Sequence, residues 1–229
     1  MNLSDKILDF LISVDFKGKL PTAIKLLNPY QNNPTIIKIC KEFYTKYYSD
    51  EKPRKLILGI NPGRLGAGST GLPFTDTKRL NDICEIPYND HYSHEPSSDF
   101  IYKVIAAYGG PKRFYEDFYF SSVCPLGFIK VNHNNSKPVN YNYYDDKELY
   151  LCVEMFIINN LYLQKSIAQS GDQVFCLGTG KNFKFLESIN NSLNIYDKIV
   201  PLEHPRYIMQ YKAKLINNYI DEYLVKLTQ

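Results

Sequence analysis

Apolar residues recur at helical spacing over residues 4–14 and again over 34–48, where Ile36, Ile37, Ile39, Phe43 and Tyr47 fall on one face. Four short β-rich runs follow: Lys55–Ile60, Phe118–Val123, Gln173–Leu177 and Lys198–Leu202. Each runs into turn chemistry: Asn61-Pro62-Gly63, Cys124-Pro125, Gly178-Thr179-Gly180 and His204-Pro205. Helical patterns separate them at about 99–108, 146–169 and 181–190, and a last helix follows at about 208–226. Strands alternating with helices predict parallel pairing, because each crossover must carry the chain back along the sheet. The expectation is an α/β fold of three layers, α/β/α, with a central four-stranded parallel sheet. A single domain over 1–229 is expected, with residues 1–50 a helical segment packed on it.

In parallel sheets of this kind, ligands gather beyond the carboxyl ends of the strands. All four strand ends here run into unusual loops: GINPGRLGAGSTGLPF, SSVCPLGF, LGTGKN and LEHPRY. Their convergence places Asn61, Phe74, Ser122 and His204 around one crevice.

Composition narrows the picture less. Apolar residues make 44% and charged residues 22% of the 229, the balance of an ordinary globular protein. No apolar run is long enough for a membrane span. The amino-terminal stretch carries Asp5 and Asp9 and reads as a helix of the folded protein instead of a signal peptide. The five cysteines are scattered and form no C-x-x-C pair, which suits a reducing cytoplasm and offers no zinc or iron–sulfur framework. A net charge of +3 is too weak to identify a nucleic-acid binder. The 20 tyrosines suit base stacking or reflect compositional drift.

The motifs have competing readings. Asn61-Pro62-Gly63 is either a tight turn whose amide serves its own backbone or a device holding that amide rigidly at a strand exit. Gly63 to Thr70 reads G-x-x-x-x-G-S-T, one residue from the nucleotide-binding loop pattern, but Ser69 stands where that pattern needs its phosphate-binding lysine. No G-x-S-x-G occurs, so no serine-hydrolase elbow is present. His91 and His94 have i, i+3 spacing without an acidic or Cys partner at recognisable distance, and no metal or other cofactor is expected. His204-Pro205-Arg206 follows an apolar run, where a histidine caps a strand, meets solvent or enters a site.

Taken together, the motifs resemble those of the single-strand-selective monofunctional uracil-DNA glycosylases. The matching pieces are GINPG (59–63), GLPF (71–74), SVCPL (122–126), GTG (178–180) and HPR (204–206), in family order and at roughly family spacing from Lys55 onward. The resemblance implies hydrolysis of the N-glycosidic bond of uracil, or another deaminated base, in DNA, initiating base excision repair. Asn61 then positions the attacking water and His204 bonds the O2 of the departing base. Ile60 and Gly63 line the base pocket, and Phe74 stacks on the extruded base.

Two departures matter. Ser122 replaces an asparagine that reads the uracil edge, and a hydroxyl lacks the fixed donor–acceptor fork of an amide. This opens xanthine- or hypoxanthine-preferring activity, or a non-catalytic damaged-DNA-binding relative, as alternatives. The segment after His204 also differs, leaving Arg206, Tyr207, Ile208 and Met209 as candidates for the wedge that probes DNA. Lys130, Lys137, Lys181, Lys184, Arg206 and Lys212 are candidate phosphate contacts. Gly178 to Gly180 offers backbone N–H groups at a helix start. The Asn-rich loop 132–145, including His133, matches a DNA-facing insertion of the family or is a solvated loop. The expected partner is DNA containing deaminated bases, bound by a monomer with no membrane association.

Overall fold

The computed structural model describes residues 1–88, 90, 92–131 and 137–229. His91 and His133 lie outside the described residues, so neither the histidine-pair reading nor the DNA-facing role of His133 is addressed.

In chain order the elements are α1 (Leu3–Ser13), β1 (Ile24–Leu27), α2 (Pro34–Tyr48), β2 (Lys55–Gly59), α3 (Ala67–Thr70), α4 (Thr77–Asp82), α5 (Pro96–Tyr108), α6 (Pro111–Asp117), β3 (Phe118–Ser122), β4 (Gly127–Lys130), β5 (Val139–Tyr141), α7 (Lys147–Ala168), β6 (Gln173–Leu177), α8 (Lys181–Leu193), β7 (Lys198–Leu202), α9 (Pro205–Tyr211) and α10 (Ile216–Leu227). The four expected strands form one parallel sheet in the order β3-β2-β6-β7.

Near-continuous apolar strands are what a sheet covered on both faces requires. Within β3, Tyr119 meets Tyr44 and Tyr48 of α2, and Ser121 bonds Gln164 of α7. Phe118 and Phe120, one residue out of phase and so on the other face, meet Tyr108 and Phe114 from α5 and α6. The three-layer α/β/α expectation holds.

Four differences from the sequence reading bear on the site. Residues 1–50 are not purely helical: β1 pairs antiparallel with β4, and β4 with β5, in a small second sheet. These strands are only three or four residues long, too short for alternation to register. The expected loop 132–145 therefore contains a strand. The expected helix 208–226 is α9 and α10, with a 3₁₀ turn over Ala213–Leu215 between them. Pro205 at the first turn of α9 explains its earlier start, since proline's fixed φ suits that position. Pro96 likewise opens α5 three residues before the expected start.

Outgoing chains run in opposite directions from the adjacent strands β2 and β6, leaving a crevice at their carboxyl ends. Asn182 of α8 bridges that crevice, its Nδ2 donating to Leu177 O at 3.1 Å and Gly59 O at 3.4 Å.

Candidate active site

The strand ends enclose a cavity of about 290 Å³ lined by, among others, Ile60, Asn61, Gly63, Phe74, Ser122 and His204. Every residue expected to hold or cut a base is therefore in one place. Its volume sits at the small end of the range of about 300–1,000 Å³ usual for small-molecule sites.

Asn61 is held from outside its own turn. Its Nδ2 donates to Tyr141 O at 3.2 Å and to Pro62 O at 3.4 Å, and its Oδ1 accepts the Tyr143 N–H at 3.2 Å. An amide oxygen has two lone pairs, so one remains for a further donor. Tyr143 is in turn fixed by its hydroxyl, which donates to Asn182 Oδ1 at 2.8 Å. The tight-turn reading captures only part of this, because the amide's partners belong mainly to β5 and the residues after it.

Phe74 has φ +54°, the left-handed region that costs a non-glycine residue about 1–2 kcal/mol. The surroundings enforce it. Thr70 Oγ1 donates to Thr75 O at 2.8 Å, and the buried Asp76 accepts from Arg79 N and from Glu95 N. The Phe74 ring packs at 5.4 Å from Phe120 and against Gly59, where an added Cβ would lie 3.1 Å from the ring. Half-buried, the ring keeps part of its surface for the cavity.

His204 caps α9, its Nδ1 accepting the Arg206 N–H at 3.1 Å. Burial, with the nearby Arg206 charge adding to it, pushes the imidazole down to about 4. It is neutral near pH 7. With Nδ1 occupied as an acceptor, the proton resides on Nε2, which becomes a fixed donor. Ser122 is buried at the end of β3 and lines the cavity, and no hydrogen bond of its hydroxyl occurs among the described residues.

Of the expected DNA contacts, Lys137, Gly180, Lys181, Arg206 and Tyr207 are exposed. Arg206 also stands at the cavity, and Tyr207 shares an adjoining cleft with Gly180 and Lys181. Two candidates fail. Ile208 is fully buried and cannot be a wedge, because α9 turns that face toward the core. Gly178 is buried with its N–H spent on Leu202 O at 2.8 Å, so it extends the β6–β7 pairing instead of facing phosphate. Met209 is half-buried against the core.

Sequence reasoning missed Glu95, Ser97, Asn140 and Asn142, all of which line the cavity. Asn140 and Asn142 lie in the noted Asn-rich stretch, and Asn140 Oδ1 accepts the Arg64 N–H at 3.0 Å. Glu95 sits beside Pro96, a helix-start signal that gave no hint of the cavity.

The model of the uracil DNA glycosylase superfamily matches residues 45–228. The chain belongs to that superfamily. A crystal structure of wild-type Pedobacter heparinus SMUG2 is 48% identical, covers 100% of this chain and 97% of its own, and superposes with a TM-score of 0.97. The protein is accordingly a DNA glycosylase, a hydrolase of N-glycosyl bonds acting on damaged DNA.

Proposed function

We propose that this glycosylase releases uracil, and other deaminated bases that fit the cavity, from DNA as the first step of base excision repair. The observation carrying the reading is that Asn61 and His204 line one cavity beneath the exposed part of Phe74.

The base must first leave the stack, at a cost of a few kcal/mol that is lowest for mispaired or single-stranded bases. Stacking on Phe74 offsets this by about 1–3 kcal/mol. Breaking the glycosidic bond leaves positive character on the sugar and negative charge on the base. The Nε2–H of His204, held in place through Nδ1, meets the base oxygen as that charge grows. Because the imidazole is neutral and already oriented, it need not reorganise during the reaction. Asn61 is barely basic; the free lone pair of its Oδ1 orients water toward the sugar carbon. No lysine lines the cavity among the described residues, so the enzyme is monofunctional and forms no Schiff base.

Ser122 supports a wider base range than an amide there would give. A second reading, preference for xanthine or hypoxanthine, rests on this residue. One oligonucleotide carrying uracil, xanthine or hypoxanthine at a single position, tested single- and double-stranded, ranks the readings by the rate of base release. Uracil release supports the proposal. Release of a purine base without uracil transfers it to the second reading, and tight binding without release of any base removes both.

A further inference from the structure

Glu95 supplies the one carboxyl group among the described residues lining the cavity. Its position is built by the fold. The residue caps α5 immediately before Pro96, and its backbone N–H donates to the buried Asp76 carboxylate at 2.7 Å. Its side chain lies over the glycine-rich loop, where a Cβ on Gly66 would collide with Oε2. Gly66 therefore makes room for this carboxyl. The half-buried carboxyl has no hydrogen bond or ion pair among the described residues, so its oxygens stay open to the cavity.

The reaction leaves a proton unassigned. Asn61 has no basicity, and His204 has its Nδ1 occupied and its Nε2 already protonated. We propose that Glu95 is a further catalytic residue, whose carboxylate takes the proton of the water that attacks the sugar. The proposal rests on the base-release reading above. The C1′–N bond breaks with its electron pair going to the base, and the water oxygen bonds to C1′. One water O–H bond breaks, its proton passing to a Glu95 oxygen and then to solvent or the departed base. No oxidant or further reactant is needed.

The groups facing Glu95 are the charged Arg206 from α9, the neutral imidazole of His204 at the start of that helix, and Asp76, already paired with Arg79. Burial raises the Glu95 carboxyl above its usual range, Arg206 opposes this, and Asp76 adds to it. A carboxylate with a raised affinity for protons is a stronger base in its ionised form.

The test is single-turnover base release across pH for wild type, Glu95→Gln and Glu95→Asp, using the base that the wild type releases. Binding to an oligonucleotide with a non-hydrolysable 2′-fluoro nucleotide is measured alongside. Glu95→Gln should slow release by about 100-fold near pH 8, leave DNA affinity unchanged, and abolish the acid limb above the range where His204 protonates. Glu95→Asp should restore part of the rate and the limb. Wild-type rates in Glu95→Gln, or an acid limb that persists in it, would overturn the proposal. So would tighter DNA binding at unchanged rate, which makes the carboxylate a phosphate repellent. A folded wild type that releases no base from any substrate defeats the underlying reading and this proposal with it.

Discussion

The backbone N–H of Tyr143 donates to Oδ1 of Asn61 across 3.2 Å, joining residues 82 positions apart in the chain. With the Tyr141 carbonyl receiving Nδ2 of the same amide, the side chain is read on both ends. This pairing fixes which end of the amide faces which partner, and a carboxylate cannot reproduce it. Asn61→Asp should therefore place an oxygen against the Tyr141 carbonyl. Urea denaturation should find it less stable by about 1–3 kcal/mol, with no gain in base release. Wild-type stability with faster release would show that the amide is not held this way.

Tyr143→Phe removes the hydroxyl that donates to Asn182 Oδ1 and leaves a buried acceptor without its partner. A loss of about 1–3 kcal/mol in stability is expected. Because the Tyr143 backbone also holds Asn61, single-turnover release should slow while DNA affinity stays constant. An unchanged rate in the destabilised variant would separate the two bonds.

Much of this site was legible in the chain, and the reason is local. GINPG and HPR each follow directly on an apolar strand, so topology sends Asn61 and His204 to the same sheet end, and GLPF closes the loop that leaves the first of them. What stayed hidden depends on partners distant in sequence. Nothing near Asn61 indicates that Tyr141 and Tyr143 grip it, since β5 is three residues long. The place of Glu95 shows only when its carboxyl is found against Gly66, 29 positions earlier in the chain. Ile208 reads as a wedge candidate because it lies in the segment after His204 that departs from the family pattern, and only the turn of α9 reveals that it faces inward.

The depressed imidazole of His204 ties stability to pH. Unfolded chains take up this proton near the ordinary value of about 6.5, whereas the folded protein resists it down to about 4. The unfolded state therefore binds more protons between these limits, and stability is lost as pH falls through that window. His204→Asn, which retains a capping side chain, should lose less stability than wild type between pH 7 and pH 4.5 in urea titrations. An equal loss would place the pH dependence elsewhere.

Ser122→Asn tests the breadth of the base range. An amide supplies a fork that uracil can satisfy, and its added bulk takes volume from a cavity of about 290 Å³. Release of uracil relative to xanthine should rise by about fivefold to tenfold, the worth of one good hydrogen bond. A ratio that stays constant would mean that Ser122 does not read the base.

The most direct measurement is single-turnover release of free uracil from an oligonucleotide by wild type, Asn61→Ala and His204→Ala, each shown to be folded by its thermal transition. The wild type should release the base and each variant should lose at least about 100-fold in rate, the scale set by removing one preorganised donor. Either variant cutting at the wild-type rate would contradict a site built on these two side chains.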